Sequence, residues 1–211
     1  MDTDRLIQTL AADGAMPRPV GTQLAMALLV ALPVAAAMLL VTLGLRPDFM
    51  SAMRNPFFDT KFLVTLALAI PAIVISVHLS RPEAALGRWI WLLLLSPIIL
   101  VVAAIIEMTM PQQKPMMARL VGHNSSICSA AISLLSLPIL AGSLLALRHG
   151  APSRPALVGA LAGVMSAGLG ATLYAAHCAD DSPLFVAAWY TIAVVVMAAL
   201  GAAIGNKVLR Y

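Results

Sequence analysis

Residues 22–45, TQLAMALLVALPVAAAMLLVTLGL, form an apolar run that contains no acidic or basic side chain. A helix needs about 20 predominantly apolar residues to cross the hydrocarbon core of a bilayer, which is roughly 30 Å thick. Further runs of similar character follow at 62–79, 89–108, 127–147, 156–176 and 185–205. The sequence therefore predicts an all-α membrane protein, a bundle of six transmembrane helices.

The composition leaves no room for a soluble domain. Hydrophobic residues make up 61% of the 211 residues and charged residues only 10%, whereas soluble domains carry about 25% charged residues. Outside the six runs there are only a short N-terminal segment, small loops and a short tail. We therefore divide the chain into an N-terminal segment, 1–21, and a transmembrane domain, 22–211.

The basic residues predict the orientation, because short cytoplasmic loops carry an excess of Lys and Arg. With the N-terminus inside, eight basic residues are cytoplasmic: Arg5, Arg18, Arg81, Arg88, Arg148, Arg154, Lys207 and Arg210. Five are then external: Arg46, Arg54, Lys61, Lys114 and Arg119. This bias predicts an N-in, C-in topology. The net charge of +4 is explained by these loops and indicates no direct nucleic-acid partner.

The N-terminal segment reads MDTDRLIQTLAADGAMPRPVG and predicts a short amphipathic helix. Leu6, Ile7 and Leu10 share one face at helical spacing. A helix of about ten residues is too short to be stable alone in water, so it must lie against something. It could rest on lipid, but its acidic flanks weaken attraction to an anionic leaflet. Docking onto a cytoplasmic protein fits better.

Reactive side chains gather where the fourth span begins and the fifth span ends. Cys128 and Cys178 are the only cysteines, and a short loop makes these two spans antiparallel, so both cysteines lie at the outer end. Nearby candidates for an accessory sensing or metal-binding role are His123, His177, Asp180 and Asp181. Three interpretations stay open here: a structural disulfide, a thiol sensor of oxidants or thiophilic metals, and a bound metal ion.

Glycines in the last two spans predict close helix packing. Gly159 and Gly163 are four residues apart in the fifth span, and Gly201 and Gly205 repeat this spacing in the sixth. Small residues at this spacing let two helix backbones approach closely. We expect contacts inside the bundle, with a homodimer contact as the alternative.

The sequence shows no sign of catalysis. It contains no phosphate-binding glycine loop, HExxH motif or serine-nucleophile motif. Ionisable residues are nearly absent from the middle of the spans, where a transporter would use them. Those near span ends, His78, Glu107, Asp59 and Lys61, are interpreted as interfacial residues that reach the headgroups. We expect no enzymatic activity and no cofactor, apart from a thiophilic metal ion acting as a signal.

Several short motifs, in order, resemble one known family. They are DRLIQTLAAD near the N-terminus, SLLSLP after the first cysteine, LRHGAP in the next loop, the glycine-rich fifth span, YAAHC and SPLFVAAWY. Together they resemble the NrsF-type proteins, bacterial six-span anti-sigma factors that act as negative regulators of sigma factor F. The resemblance covers nearly the whole chain and is strongest from Cys128 onward.

The resemblance implies that the N-terminal segment holds an extracytoplasmic-function sigma factor at the inner membrane, away from RNA polymerase. It also matches Cys128 and Cys178 to the family's two periplasm-facing cysteines, which are implicated in the response to stress or heavy metals. This favours the sensor over a plain structural disulfide. The alternative function is a small transporter or a thiol-redox membrane protein.

Overall fold

The computed structural model describes residues 3–12, 18–111, 114–123 and 125–210. Within these ranges the chain forms helices joined by short loops, without any strand. Six helical stretches are long and apolar enough to cross a membrane, which confirms the predicted all-α fold. The helices are α1 (Thr3–Ala12), α2 (Val20–Thr42), α3 (Phe49–Ala52), α4 (Pro56–Leu79), α5 (Leu95–Thr109), α6 (Met116–Val121), α7 (Ser125–Leu147), α8 (Pro155–Ala175), α9 (Pro183–Phe185) and α10 (Thr191–Val208).

The second long helix, α4, begins earlier than the apolar run at 62–79 predicts. The side-chain oxygen of Asn55 accepts a hydrogen bond from the Phe57 N–H at 3.1 Å, and Pro56 occupies the first helical position. Both features favour a helix start, because proline has no N–H to leave unsatisfied there. The added turn contains charged residues, which is why apolar content alone places the start too late.

Two of the long stretches are not regular α-helix throughout. The third begins with a 3₁₀ segment, Arg88–Leu94, that continues into α5. Pro97 explains this start, because it lacks the N–H that would bond to the Leu93 carbonyl oxygen. In the sixth, a π-helical turn at Val186–Tyr190 joins α9 to α10, and Tyr190 is buried there.

Helix α8 lies at the centre of the bundle and packs against α4, α7 and α10. Its closest neighbour is α10, where Gly159 and Gly163 meet Gly201 and Gly205. A Cβ added to Gly205 would lie 2.6 Å from the Gly159 Cα, and one added to Gly163 would collide with the Met197 carbonyl oxygen. The expectation of packing inside the bundle is confirmed, while a homodimer stays a prediction.

We call the two ends of the bundle the cysteine end and the terminal end. The cysteine end holds the segments 43–55, 114–123 and 176–182, joined by contacts such as the Arg46 N–H to the Ala176 carbonyl at 3.3 Å. The opposite, terminal end holds the loops 80–87 and 148–154. These two loops meet where the Ala151 N–H donates to the Ser80 carbonyl oxygen at 3.0 Å.

The predicted N-terminal helix is present as α1, Thr3–Ala12. Ile7, one of its three predicted contact residues, is exposed. The side chains of Leu6 and Leu10 lie outside the described part of the structure. The existence of this helix is therefore confirmed, whereas its role in binding stays a prediction.

Candidate functional site

Cys128 and Cys178 come together at the cysteine end, as the antiparallel arrangement of α7 and α8 predicts. Cys128 lies in the first turn of α7, and Cys178 follows the end of α8. Both are free thiols without exposed surface, and they are close enough to influence each other's ionisation. They belong to one apolar cluster with Tyr174, Phe185 and Tyr190. Two oxidisable sulfur atoms are thus enclosed in a largely apolar environment.

A group of ion pairs, which we call the charged cap, lies directly over Cys178. The cap consists of Lys61, Arg46 and Asp181. The Lys61 Nζ lies 2.6 Å from the Asp181 carboxylate and donates to the Cys178 carbonyl oxygen at 2.9 Å. The Arg46 Nη1 lies 3.0 Å from Asp181 and 3.3 Å from the same carbonyl oxygen. Two cations therefore fix the backbone of the reactive cysteine.

Lys61 is not the interfacial residue that the sequence suggested. It is 1% exposed, because α4 begins at Pro56 and places it in the second turn, inside the bundle. Phe58 and Thr65, three residues before it and four after it, are buried on the same helix. That spacing is the signal in the sequence that could have identified a lysine facing inward.

Glu107 is also buried, contrary to the interfacial interpretation. Its carboxylate lies 3.2 Å from the Arg119 Nη1 and accepts a hydrogen bond from the Ser182 hydroxyl at 3.1 Å. These contacts join α5, α6 and the start of the last span. The carboxylate is buried because α6, which contains Arg119, and the segment before α9, which contains Ser182, fold over the end of α5.

The four accessory candidates do not converge on the thiols. Asp181 belongs to the charged cap. Asp180 accepts from the His123 backbone N–H at 3.0 Å and lies 3.3 Å from its Nδ1. The His177 Nδ1 lies 3.0 Å from the Gly44 carbonyl oxygen. In the described ranges no three His, Cys, Asp or Glu side chains form a group that could hold a metal ion.

Electrostatics favour ionisation of Cys178. The hydrogen bond with Cys128 lowers the pKa of the Cys178 thiol, and the Lys61 charge and the backbone at Asp180 lower it further, against the opposing effect of burial. The pKa of Arg46 is raised, first by its hydrogen bonds to Asp48 and then by the charge of Asp181, so its charge is permanent. A thiolate is the nucleophilic form of cysteine. Its ionisation would therefore make Cys178 a nucleophile.

Comparison with known proteins identifies the family. A sequence model described as "Negative regulator of sigma F" (NrsF) matches residues 10–211. The chain is 36% identical over 217 residues to "Anti-sigma-F factor NrsF" of Caulobacter vibrioides (strain NA1000 / CB15N), covering 100% of both chains. It is 32% identical over 215 residues to "Probable anti-sigma-F factor NrsF" of Azospira oryzae, again covering 100% of both. No solved structure matches the chain. Because the family match extends over nearly the entire chain, the protein belongs to the NrsF family of anti-sigma factors, negative regulators of sigma F.

Proposed function

We propose that this protein holds an extracytoplasmic-function sigma factor at the bacterial inner membrane and releases it when a periplasmic signal reacts with its cysteine pair. The anti-sigma activity follows from membership of the family. The observation that carries the sensing role is the enclosure of both cysteines at one end of the bundle, beneath buried charges. The signal we propose is a thiol-reactive oxidant or a thiophilic heavy metal.

The sigma factor is held by α1 in this proposal. The six long helices account for most of the chain, and α1 lies before the first of them with Ile7 exposed. Leu6 and Leu10 share its apolar side at helical spacing. An apolar helix face that docks in a groove is a common mode of recognition. The basic-residue bias places this helix in the cytoplasm, where a sigma factor is found.

The signal acts at the opposite end of the bundle. Oxidation of the two thiols to a disulfide removes two electrons and two protons and requires both sulfur atoms to approach to bonding distance. A shift of the Cys178 backbone during this step would pull its carbonyl oxygen away from Arg46 and Lys61. We propose that such a shift is passed to α8, the helix that precedes Cys178 and contacts α4, α7 and α10.

Co-purification from membranes tests the binding role. The full-length protein should retain the sigma factor, and replacement of both Leu6 and Leu10 by Asp should abolish retention while the protein still inserts. Gln8→Asp is the matched control, because this exposed residue lies on the other side of α1. Retention by the double variant would exclude α1 and direct attention to the loops of the terminal end.

The same assay tests the cysteines. Native protein should release the sigma factor after exposure to peroxide or a thiophilic metal. Cys128→Ser and Cys178→Ser should bind normally, remain abundant in the membrane and lose the response. A structural disulfide predicts loss of the protein from the membrane in both variants. Normal abundance with an unchanged response would refute the sensing role.

A further inference from the structure

The charged cap contains more buried positive than negative charge. Lys61 and Arg46 are 1% and 8% exposed, and the side chain of Asp181, which faces both, is 17% exposed. Asp48, the second partner of Arg46, has a side chain that is 55% exposed. A buried cation is stable only when it is paired and hydrogen-bonded. Asp181 is shared between two cations, so Lys61 is left with only part of a counter-charge.

Two buried tyrosines also lack partners at this place. Within the described residues the hydroxyl oxygens of Tyr174 and Tyr190 are buried without a hydrogen-bond partner. Their rings contact each other edge to face, with centroids 6.3 Å apart, in the cluster that contains both cysteines. An unsatisfied buried hydroxyl destabilises the folded state, because the hydrogen bonds it made to water are not replaced. A thiolate sulfur next to these hydroxyls would accept the hydrogen bonds that they lack.

We propose that Lys61 is the positioning residue that makes Cys178, rather than Cys128, the first thiol to react, because its ammonium group is the counter-charge of the Cys178 thiolate. Tyr190 donates to the same sulfur. The inference rests on the proposed function for its biological role, because reaction of Cys178 would be the sensing event. The ionisation of Cys178 itself does not depend on sigma-factor binding. The lowered pKa of Cys178 agrees with it.

Charged and titratable groups approach Cys178 from every element packed around it. Asp180 opposes its ionisation, whereas Lys61 favours it. The full set is Lys61 on α4, Arg46 before α3, Cys128 on α7, Tyr174 on α8, Tyr190 before α10, His123 after α6, and His177, Asp180 and Asp181 around the cysteine itself. Of the two aspartates, Asp180 is engaged by His123 and Asp181 by the two cations. Lys61, 1% exposed, is the more deeply buried of the two cations and shares Asp181 with Arg46, so part of its charge can act on the sulfur.

This arrangement determines which of the two cysteines reacts first. With a peroxide, the Cys178 thiolate attacks one oxygen, the O–O bond breaks, and hydroxide leaves as a Cys178 sulfenic acid forms. The Cys128 sulfur then attacks the sulfenic sulfur, the S–O bond breaks, and water leaves as the disulfide forms. The peroxide accepts both electrons. Cys128 is thus the resolving thiol.

The pH dependence of the thiolate ultraviolet absorbance tests this assignment in purified full-length protein. The double variant Cys128→Ser with Cys178→Ser, which has no thiol, supplies the blank. The thiolate signal should be lost in Cys178→Ser and kept in Cys128→Ser. In Lys61→Met its midpoint should rise by at least one pH unit, which is about a tenfold loss of thiolate below the midpoint. Lys61→Arg should keep the native midpoint, and so should Arg54→Met, which removes an exposed positive charge from the same end of the bundle.

An unchanged midpoint in Lys61→Met, or a signal that disappears only in Cys128→Ser, would overturn the proposal. If Lys61→Met does not fold, the thiolate titration of Tyr190→Phe tests the proposal instead. This variant keeps the ring and removes only the hydroxyl group that would donate to the Cys178 sulfur. Its midpoint should also rise, and an unchanged value would refute the proposal. No sigma factor is present in this measurement, so a failed sigma release with a normal titration contradicts the proposed function alone.

Discussion

At the scale of the residue, Asp181 holds the charged cap together. Its carboxylate faces Lys61 at 2.6 Å and Arg46 at 3.0 Å, and the Asn55 amide donates to it at 3.4 Å. Removing one partner of a buried ion pair leaves an uncompensated charge, which is more harmful than the pair is favourable. The stability of the cysteine end therefore depends on this carboxylate more than on either cation.

We expect Asp181→Asn to lower the free energy of unfolding by about 2–3 kcal/mol. Asp48→Asn is the control, because Asp48 also binds Arg46 but is largely exposed, and it should cause a much smaller loss. Thermal unfolding of the purified protein in detergent measures both. The double variant Asp181→Asn with Lys61→Met should recover part of the loss, since it removes one of the stranded cations. Equal losses in the two single variants would show that burial of the cap is unimportant.

At the scale of the element, the α8–α10 contact forms the part of the bundle with the closest backbone approach. Four glycines allow this approach, and carbonyl oxygens on each helix occupy the space that a side chain would need. Dispersion contacts grow with such proximity, and within a membrane they replace the hydrophobic effect as the force that joins helices. Helix α8 also leads to Cys178, so its position fixes the depth of the reactive thiol.

Gly163→Ala should destabilise the protein by about 2 kcal/mol, because the new methyl group would meet the Met197 backbone, which cannot move away. Gly21→Ala in α2 is the matched control. A Cβ there would lie 3.5 Å from a Val77 methyl group, an ordinary contact, so stability should stay the same or rise. Thermal unfolding in detergent measures both changes. A similar effect from the two substitutions would show that the α8–α10 contact tolerates separation.

At the scale of the whole molecule, the sequence predicts the number and order of the long helices well and their charged ends poorly. Six apolar runs are visible because burial in lipid demands uninterrupted hydrophobicity. The charged cap was missed because Lys61 lies before the second apolar run and its partners are remote. Lys61 is 117 residues from Cys178 along the chain. Pairing at that distance depends on how helices pack, which no local pattern encodes.

The cysteine pair was predictable for a different reason. Cys128 and Cys178 flank two apolar runs joined by a short loop, and such runs must be antiparallel neighbours. Their placement at one end therefore follows from connectivity alone. Which thiol ionises does not, because that depends on buried charges and hydroxyl groups contributed by α4, α8 and the last span.

Six membrane crossings by the long helices of the described residues would put both chain ends on one side, and the basic residues predict that this side is the cytoplasm. The terminal end carries eight of the 13 Lys and Arg residues, and the loop at 176–182 carries none. A reporter enzyme fused after Tyr211 should therefore be active in the cytoplasm, and one fused after the exposed Lys114, at the cysteine end, should be active in the periplasm. Exposed loops tolerate such fusions better than helices do. Periplasmic activity of the Tyr211 fusion would place α1 in the periplasm and the cysteine end in the cytoplasm, and so refute both sigma binding by α1 and sensing of a periplasmic signal by the cysteines.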